Sequence, residues 1–258
     1  VRETATFLID WDCDHPALVS LGIQPARSNM KKHIGIVGCS FEGAALCYRT
    51  ICLEAEALMG KHAHPEVTMH TISLAEYVGP ITDGNWESVA SLMLRSSQAL
   101  HRAGAEFLIC PDNTIHEALP YVLPHSPLPW LHIAEEVGKE AKRHGFGHVG
   151  LTGTKFLVRG PVYPEKLDAL GIRYSRPTET QQDRINLIIF DELVRGKQTP
   201  ASLLYFQQVI QEFKSHECDA VVLGCTEIPL LVNDMNSSLP TLDSTRILAR
   251  AALHRSLD

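Results

Sequence analysis

Two stretches about half a chain apart repeat one pattern, an apolar run that ends in a compact polar triplet. Ala105 to Pro111 leads into Asp112, Asn113 and Thr114, and Asp219 to Gly224 leads into Cys225, Thr226 and Glu227. A second echo matches His33, Ile34, Gly35, Ile36, Val37 and Gly38 with His148, Val149, Gly150, Leu151, Thr152 and Gly153. The echoes are offset by 113 and 115 residues, so both fit duplication of one β/α unit. Such a duplication encloses a pseudo-twofold cleft in which two reactive groups face each other.

Apolar runs of strand length alternate with helical stretches along most of the chain. The first half reads as strand Ile34 to Val37, helix Ala44 to Met59, strand Val67 to Ile72, helix Trp86 to Ala103 and strand Phe107 to Cys110, with a further helix starting near Ile115. Pro124, Pro127 and Pro129 interrupt the pattern before Leu131 to Ile133 and the helix Ala134 to Arg143. The second half reads as strand Val149 to Leu151, helix Pro164 to Leu170, strand Ile172 to Tyr174, helices Gln182 to Val194 and Ser202 to Lys214, strand Ala220 to Leu223 and a closing helix Leu242 to Leu257. This alternation predicts an α/β protein with mostly parallel sheets flanked by helices. The expected division is an N-terminal extension over 1–29, α/β domains over 30–130 and 131–241, and a C-terminal helix over 242–258 that packs back on the first domain. Met30, followed by two lysines, reads as a natural start.

At 258 residues the chain is long enough for two halves that each bury a core. A net charge of −7 without clustered Lys and Arg argues against nucleic acid, and no apolar run is long enough to predict a membrane span. Seven cysteines without CxxC spacing fit a reducing compartment, so the cytoplasm is the expected location. His62 and His64 alone supply no metal-ligand set, and Phe41 stands where a dinucleotide-binding run starting at Gly35 and Gly38 needs its third glycine. No metal or cofactor is expected.

In parallel sheets ligands bind beyond the carboxyl ends of the strands, where both triplets fall. Thr114 and Thr226 are expected near helix N-termini, where they either cap the helix or help hold an anion. Cys225 stands at a strand end, where electropositive backbone favours a thiolate. Cys39, Cys47, Cys52, Cys110 and Cys218 read as packing residues.

Taken together and in order, Gly38, Cys39, Ser40, Phe41 and Glu42, then Pro111 to Thr114 with His116, then Leu151 to Thr154, then Gly224 to Glu227, make residues 32–255 resemble the cofactor-independent aspartate/glutamate racemase superfamily. Its broad-specificity amino-acid racemase branch is the most similar. The resemblance implies two βα domains related by a pseudo-dyad, an active site between them, a homodimer, a small-molecule amino acid or related carboxylate as substrate, and α-proton transfer without pyridoxal phosphate. It assigns substrate anchoring to Ser40, Asn113, Thr114, Thr154 and Thr226. Glu227 either orients the α-ammonium group or caps the helix after it. Aspartate-specific members carry an arginine in the loop after the second strand, where this chain has Leu74, Ala75, Glu76 and Tyr77; Arg195, before Gly196, matches another basic position. His116 lies within the motif and reads as a core or capping residue.

One position departs from the pattern. Family racemases place a cysteine before the Asn-Thr pair, where this chain has Asp112. Cys110 shares the face of Asp112 but lies roughly 6 to 7 Å back along the strand, so Asp112 inherits the role. Two-base racemisation then pairs Asp112 as base with Cys225 as acid. Their ordinary pKa values differ by about 4.6 units, so the reverse protonation state is disfavoured by roughly 6 kcal/mol unless the cleft raises Asp112 and lowers Cys225. Two other readings remain: a decarboxylase or other isomerase of the same superfamily with Cys225 as proton donor, as in arylmalonate decarboxylase, and a protein that only binds amino acids.

Overall fold

The computed structural model describes residues 31–258; the expected extension at 1–29 lies outside the described residues. In the first half β1 (Ile34–Gly38) lies between β2 (Val67–Thr71) and β3 (Phe107–Ile109). In the second half β4 (His148–Gly153) lies between β5 (Arg173–Ser175) and β6 (Ala220–Gly224), with β7 (Thr241–Asp243) added beside β6. Every strand pairing is parallel. The orders β2-β1-β3 and β5-β4-β6 superpose strand for strand, with the two echoed motifs as the central strands.

The duplication reaches individual hydrogen bonds. Glu106, just before β3, accepts the His33 N–H at 2.8 Å, and Asp219, just before β6, accepts the His148 N–H at 2.9 Å. The two imidazoles then meet hydroxyls of the neighbouring strand, His33 on Thr68 and His148 on Ser175, each at 2.9 Å. Each central strand is thus stapled at its start by a carboxylate on one side and a hydroxyl on the other, which fixes the register of its far end.

Helices cover both faces of each sheet. They are α1 (Phe41–Met59), α2 (Leu74–Thr82), α3 (Trp86–Arg102), the single turn α4 (Leu119–Val122), α5 (Ile133–Arg143), α6 (Lys155–Arg159), α7 (Val162–Ala169), α8 (Glu179–Asp191), α9 (Pro200–Ser215) and α10 (Ser244–Leu257). Two of them cross between the halves. Helix α5 buries Ala134, Val137 and Ala141 against Val149 and Leu151 of β4, whereas α10 buries Leu248, Ala249 and Ala252 against Ile34 and Ile36 of β1. The chain approaches these helices in equivalent ways: Trp130 makes a parallel bridge to Leu108 before α5, and β7 pairs with β6 before α10. Among the described residues no helix is long and apolar enough to cross a membrane.

Three segments differ from the sequence expectations. The closing helix begins at Ser244, because Leu242 is held in β7 and the Asp243 carboxylate accepts the Arg246 N–H at 3.0 Å as an N-cap. Leu74 to Tyr77, expected in the loop after the second strand, open a helix that runs to Thr82; Gly79 and Pro80 interrupt its pattern, and the missing N–H of Pro80 is one that a helix interior normally uses. The helix expected from Pro164 begins two residues earlier, at Val162, and a short unexpected helix, α6, precedes it, the two separated at Gly160 and Pro161.

The tightest packing against a central strand is at Gly150, where an added β-carbon would overlap the ring of Phe213 on α9. Overpacking of this kind costs about 1–3 kcal/mol. Gly150→Ala is therefore expected to lower the unfolding free energy by that amount, read as a lower urea midpoint at an unchanged m-value.

Candidate active site

Four strand ends supply the polar groups. Cys39 and Ser40 follow β1, Asp112 to Thr114 follow β3, Thr154 follows β4, and Cys225 to Glu227 follow β6. Hydrogen bonds tie these loops across the halves. The Ser40 hydroxyl donates to the Glu227 carboxylate at 2.6 Å, and the hydroxyls of Thr114 and Thr154 lie 3.0 Å apart. Asn113 is locked behind them, accepting from the Tyr163 hydroxyl at 2.7 Å and donating to Ser244 at 2.9 Å.

Asp112 and Cys225 line one cavity of about 60 Å³, together with Cys39, Ser40, Thr114, Thr154 and Glu227. The rest of its wall is mainly apolar, from Leu74, Val78 and Ile81 of α2, Phe156 of α6, Ile189 and Phe190 of α8, and Val194, with Thr82 adding one hydroxyl that donates to the Val78 carbonyl. Asn113 and Thr226 stand behind this lining rather than in it. Arg195 is not brought to the cavity: its side chain is 65% exposed and lies 4.0 Å from Asp191. A wider surface groove of about 660 Å³ beside β7 and α10 contains none of the expected site residues.

Glu227 is the electrostatic centre. Its carboxylate is almost fully buried and accepts from three side chains, Ser40 and Thr226 at 2.6 Å and the Cys225 thiol at 3.0 Å. It makes no side-chain cap to the turn that follows, so the capping alternative for this residue does not describe the fold. The expected helix N-termini are also absent here. Thr114 opens a 3-10 turn (Thr114–Ala118) and Thr226 precedes another (Ile228–Leu230).

These surroundings set the two reactive groups apart. Burial, with the Glu227 charge second, pushes the Asp112 carboxyl up to about 6, and hydrogen bonds from the Ser40 N–H and the Cys39 thiol hold it back. Cys225 moves the other way from the sequence expectation. Burial, followed by the Glu227 charge, drives its thiol well above the ordinary value, so Cys225 rests as the protonated acid. Electropositive backbone does not offset a carboxylate 3.0 Å away.

Cys39 is the residue that sequence reading missed. It lines the cavity and its thiol hydrogen-bonds to Asp112, so it is more than a packing group. The signal was present in the repeat, where Cys39 and Thr154 follow equivalent strand ends. Cys110, by contrast, is fully buried and reaches only the Asp112 carbonyl, at 3.8 Å.

His116 supports Asp112 from behind. Its Nε2 accepts the Ile133 N–H at 3.3 Å, which leaves Nδ1–H to donate to the Asp112 carbonyl at 2.8 Å and fixes the neutral tautomer. His132 packs edge-on against it, with ring centroids 4.9 Å apart. Burial lowers His116 to about 4 and His132 to about 2.

A family profile described as Asp/Glu/Hydantoin racemase matches residues 34–252. A crystal structure of a Yersinia pestis protein solved as a candidate Asp/Glu racemase is 30% identical, with a TM-score of 0.81, covering 88% of this chain and all of that one. An aspartate racemase homologue from Pyrococcus horikoshii is 27% identical, with a TM-score of 0.75, over 89% of this chain and all of that one. The broad-specificity amino-acid racemase RacX of Bacillus subtilis is 24% identical over 60% of this chain and 66% of its own length. A glutamate racemase of Thermus thermophilus is 26% identical over 58% and 55%, so the chain spans between half and two thirds of these curated relatives.

The buried histidines give stability a pH dependence. Unfolded, both protonate near their ordinary value, whereas folded they stay neutral down to about 4 and about 2. Between about pH 6.5 and 4 the unfolded chain therefore binds more protons, and stability falls as pH drops through that window. Asp112 opposes this, since its raised carboxyl takes up a proton in the folded state first, a contribution present at low pH and lost as pH rises through about 6. Two histidines outweigh one carboxyl. The urea midpoint is expected to fall from pH 7 to pH 4.5, and His116→Gln should flatten that slope.

Proposed function

Because the chain belongs to the Asp/Glu/hydantoin racemase family, we propose that it is an amino-acid racemase that moves the α-proton without pyridoxal phosphate, using Asp112 and Cys225 as its two acid/base groups. The observation that carries this reading is that these side chains, from equivalent strand ends of opposite halves, line one small cavity. A group titrating near neutrality is well matched to general-base work, and Asp112 is raised to about 6. Its partner starts as the thiol. Asp112 takes the α-proton from one face of the substrate, Cys225 gives its proton to the other, and the products are the opposite enantiomer, a carboxylic acid and a thiolate.

The α-carboxylate suits the hydroxyls of Ser40, Thr114 and Thr154, and Asn113 and Thr226 hold the loops that present them. Glu227 offers its charge to the α-ammonium group while it keeps the Cys225 proton in place. The raised Asp112 narrows the mismatch between the two bases by about 3 kcal/mol, but the raised thiol widens it again. Proton removal by Asp112 is thus easier than removal by the thiolate. A malonate-type substrate for decarboxylation would bring two negative charges to a cavity that already holds two carboxyl groups, which favours the zwitterionic amino acid.

In D2O, the enantiomer whose α-hydrogen faces Asp112 is expected to exchange faster than it racemises, and its mirror image more slowly. Cys225→Ala should lower racemisation about 10² to 10⁴ fold, and Asp112→Asn should abolish the fast exchange. Unchanged turnover in Cys225→Ala, or no α-exchange with any amino acid, eliminates the proposal.

Removing the Cys39 thiol takes away one of the hydrogen bonds that hold Asp112 down. In Cys39→Ala the pH-rate limb that reports the base is therefore expected to move to higher pH. A limb at the wild-type position would show that Cys39 only fills space.

A further inference from the structure

The wall of the cavity opposite the polar loops bears on which amino acid is accepted, an inference that rests on the racemase reading. Leu74, Val78 and Ile81 recur at helical spacing and so share one face of α2. Ile189, Phe190 and Val194, contributed by α8 and the turn after it, close the space from the second half, and Phe156 completes it. Among the described residues that line it there is no lysine, arginine or histidine, while Asp112 and Glu227 both present carboxyl groups. Two cationic side chains, Lys155 and Arg159, line an adjoining outer recess of about 310 Å³. Lys155 lies over the Phe156 ring, and Arg159 is engaged by Gln182 and Asp183.

We propose that the cavity selects an α-amino acid with an uncharged, apolar side chain, held against Leu74, Val78, Ile81, Ile189, Phe190 and Val194. A substrate that carries a second carboxylate would bury it without a cation and beside two carboxyl groups, which is costly on both counts. A zwitterion with an aliphatic side chain meets hydroxyls at its carboxylate, carboxylates at its ammonium group and hydrocarbon beyond. Leu74 to Tyr77, where the resemblance placed an arginine in aspartate-specific members, begins the helix that supplies this hydrocarbon face.

The test is a binding panel on the full chain by isothermal titration calorimetry, with both enantiomers of leucine, methionine, aspartate and glutamate, and a neutral 5-isobutylhydantoin. Leucine or methionine is expected to bind at least tenfold tighter than either acidic amino acid. Lys155→Ala should leave that ratio unchanged. Val78→Arg, at a position 41% exposed and so able to accept a long side chain, should reverse the ratio toward aspartate. Equal or tighter binding of aspartate or glutamate, binding of the hydantoin alone, or no binding of the apolar amino acids overturns the proposal. Deuterium exchange on the same panel keeps the two ideas separate. Apolar amino acids that bind without exchange refute racemisation but not the specificity, whereas exchange confined to acidic amino acids refutes the specificity but not racemisation.

Discussion

The Glu227 carboxylate, buried and accepting from Ser40, Thr226 and Cys225, is the interaction on which the site depends. A buried anion without a cation is tolerated only where donors replace its water, and charge-assisted hydrogen bonds are the strong ones. One of those donors, Ser40, comes from the other half of the chain. Its backbone N–H also holds Asp112 at 2.8 Å, so one residue links both carboxyl groups. Losing the Ser40 hydroxyl would leave Glu227 short of a partner and loosen the joint between the halves together. Close packing reinforces the same seam, since a β-carbon at Gly43 on α1 would meet Thr226 Cβ at 2.6 Å.

This joint can form because the duplicated units end their strands alike. Stapling of β1 by Glu106 and of β4 by Asp219 sets both registers at the strand starts, and parallel pairing carries that register to the opposite ends. The helices that cross over, α5 and α10, bury alanines and leucines against the opposite half's sheet. The halves therefore share packed surfaces through two helices, which limits how far they can separate around a ligand.

Much of this was legible in the sequence because it rests on local pattern. The central strands, the triplets at equivalent strand ends and the long helices over Trp86 to Arg102 and Pro200 to Ser215 announce themselves by periodicity and by glycine or proline at their ends. What escaped is set by tertiary contact. Helix α2 hides behind Gly79 and Pro80, and β7 is three residues long and exists because β6 is beside it. The thiol of Cys39 looks like a packing residue until Asp112, distant in sequence, is placed against it. The direction of the Cys225 shift is set first by burial of the thiol and then by the Glu227 carboxylate turned against it, and neither can be read from its neighbourhood in sequence.

Replacing a cysteine by Asp112 changes more than one pKa. With two thiols a two-base site is symmetric, and either can start the cycle as acid. A carboxyl raised to about 6 opposite a thiol raised by burial gives the proposed two-base cycle a direction, with the base on the first half and the acid on the second. The same carboxyl groups that impose this polarity also charge the cavity negatively, and hydrocarbon from α2 and α8 fills the remaining wall. The proposed direction of proton transfer and the proposed choice of side chain thus share one cause, a site built from carboxyl groups with no cation among its described lining residues. An arginine introduced on the α2 face would disturb both together, since a positive charge near Asp112 lowers the carboxyl toward its ordinary value as it admits an acidic side chain.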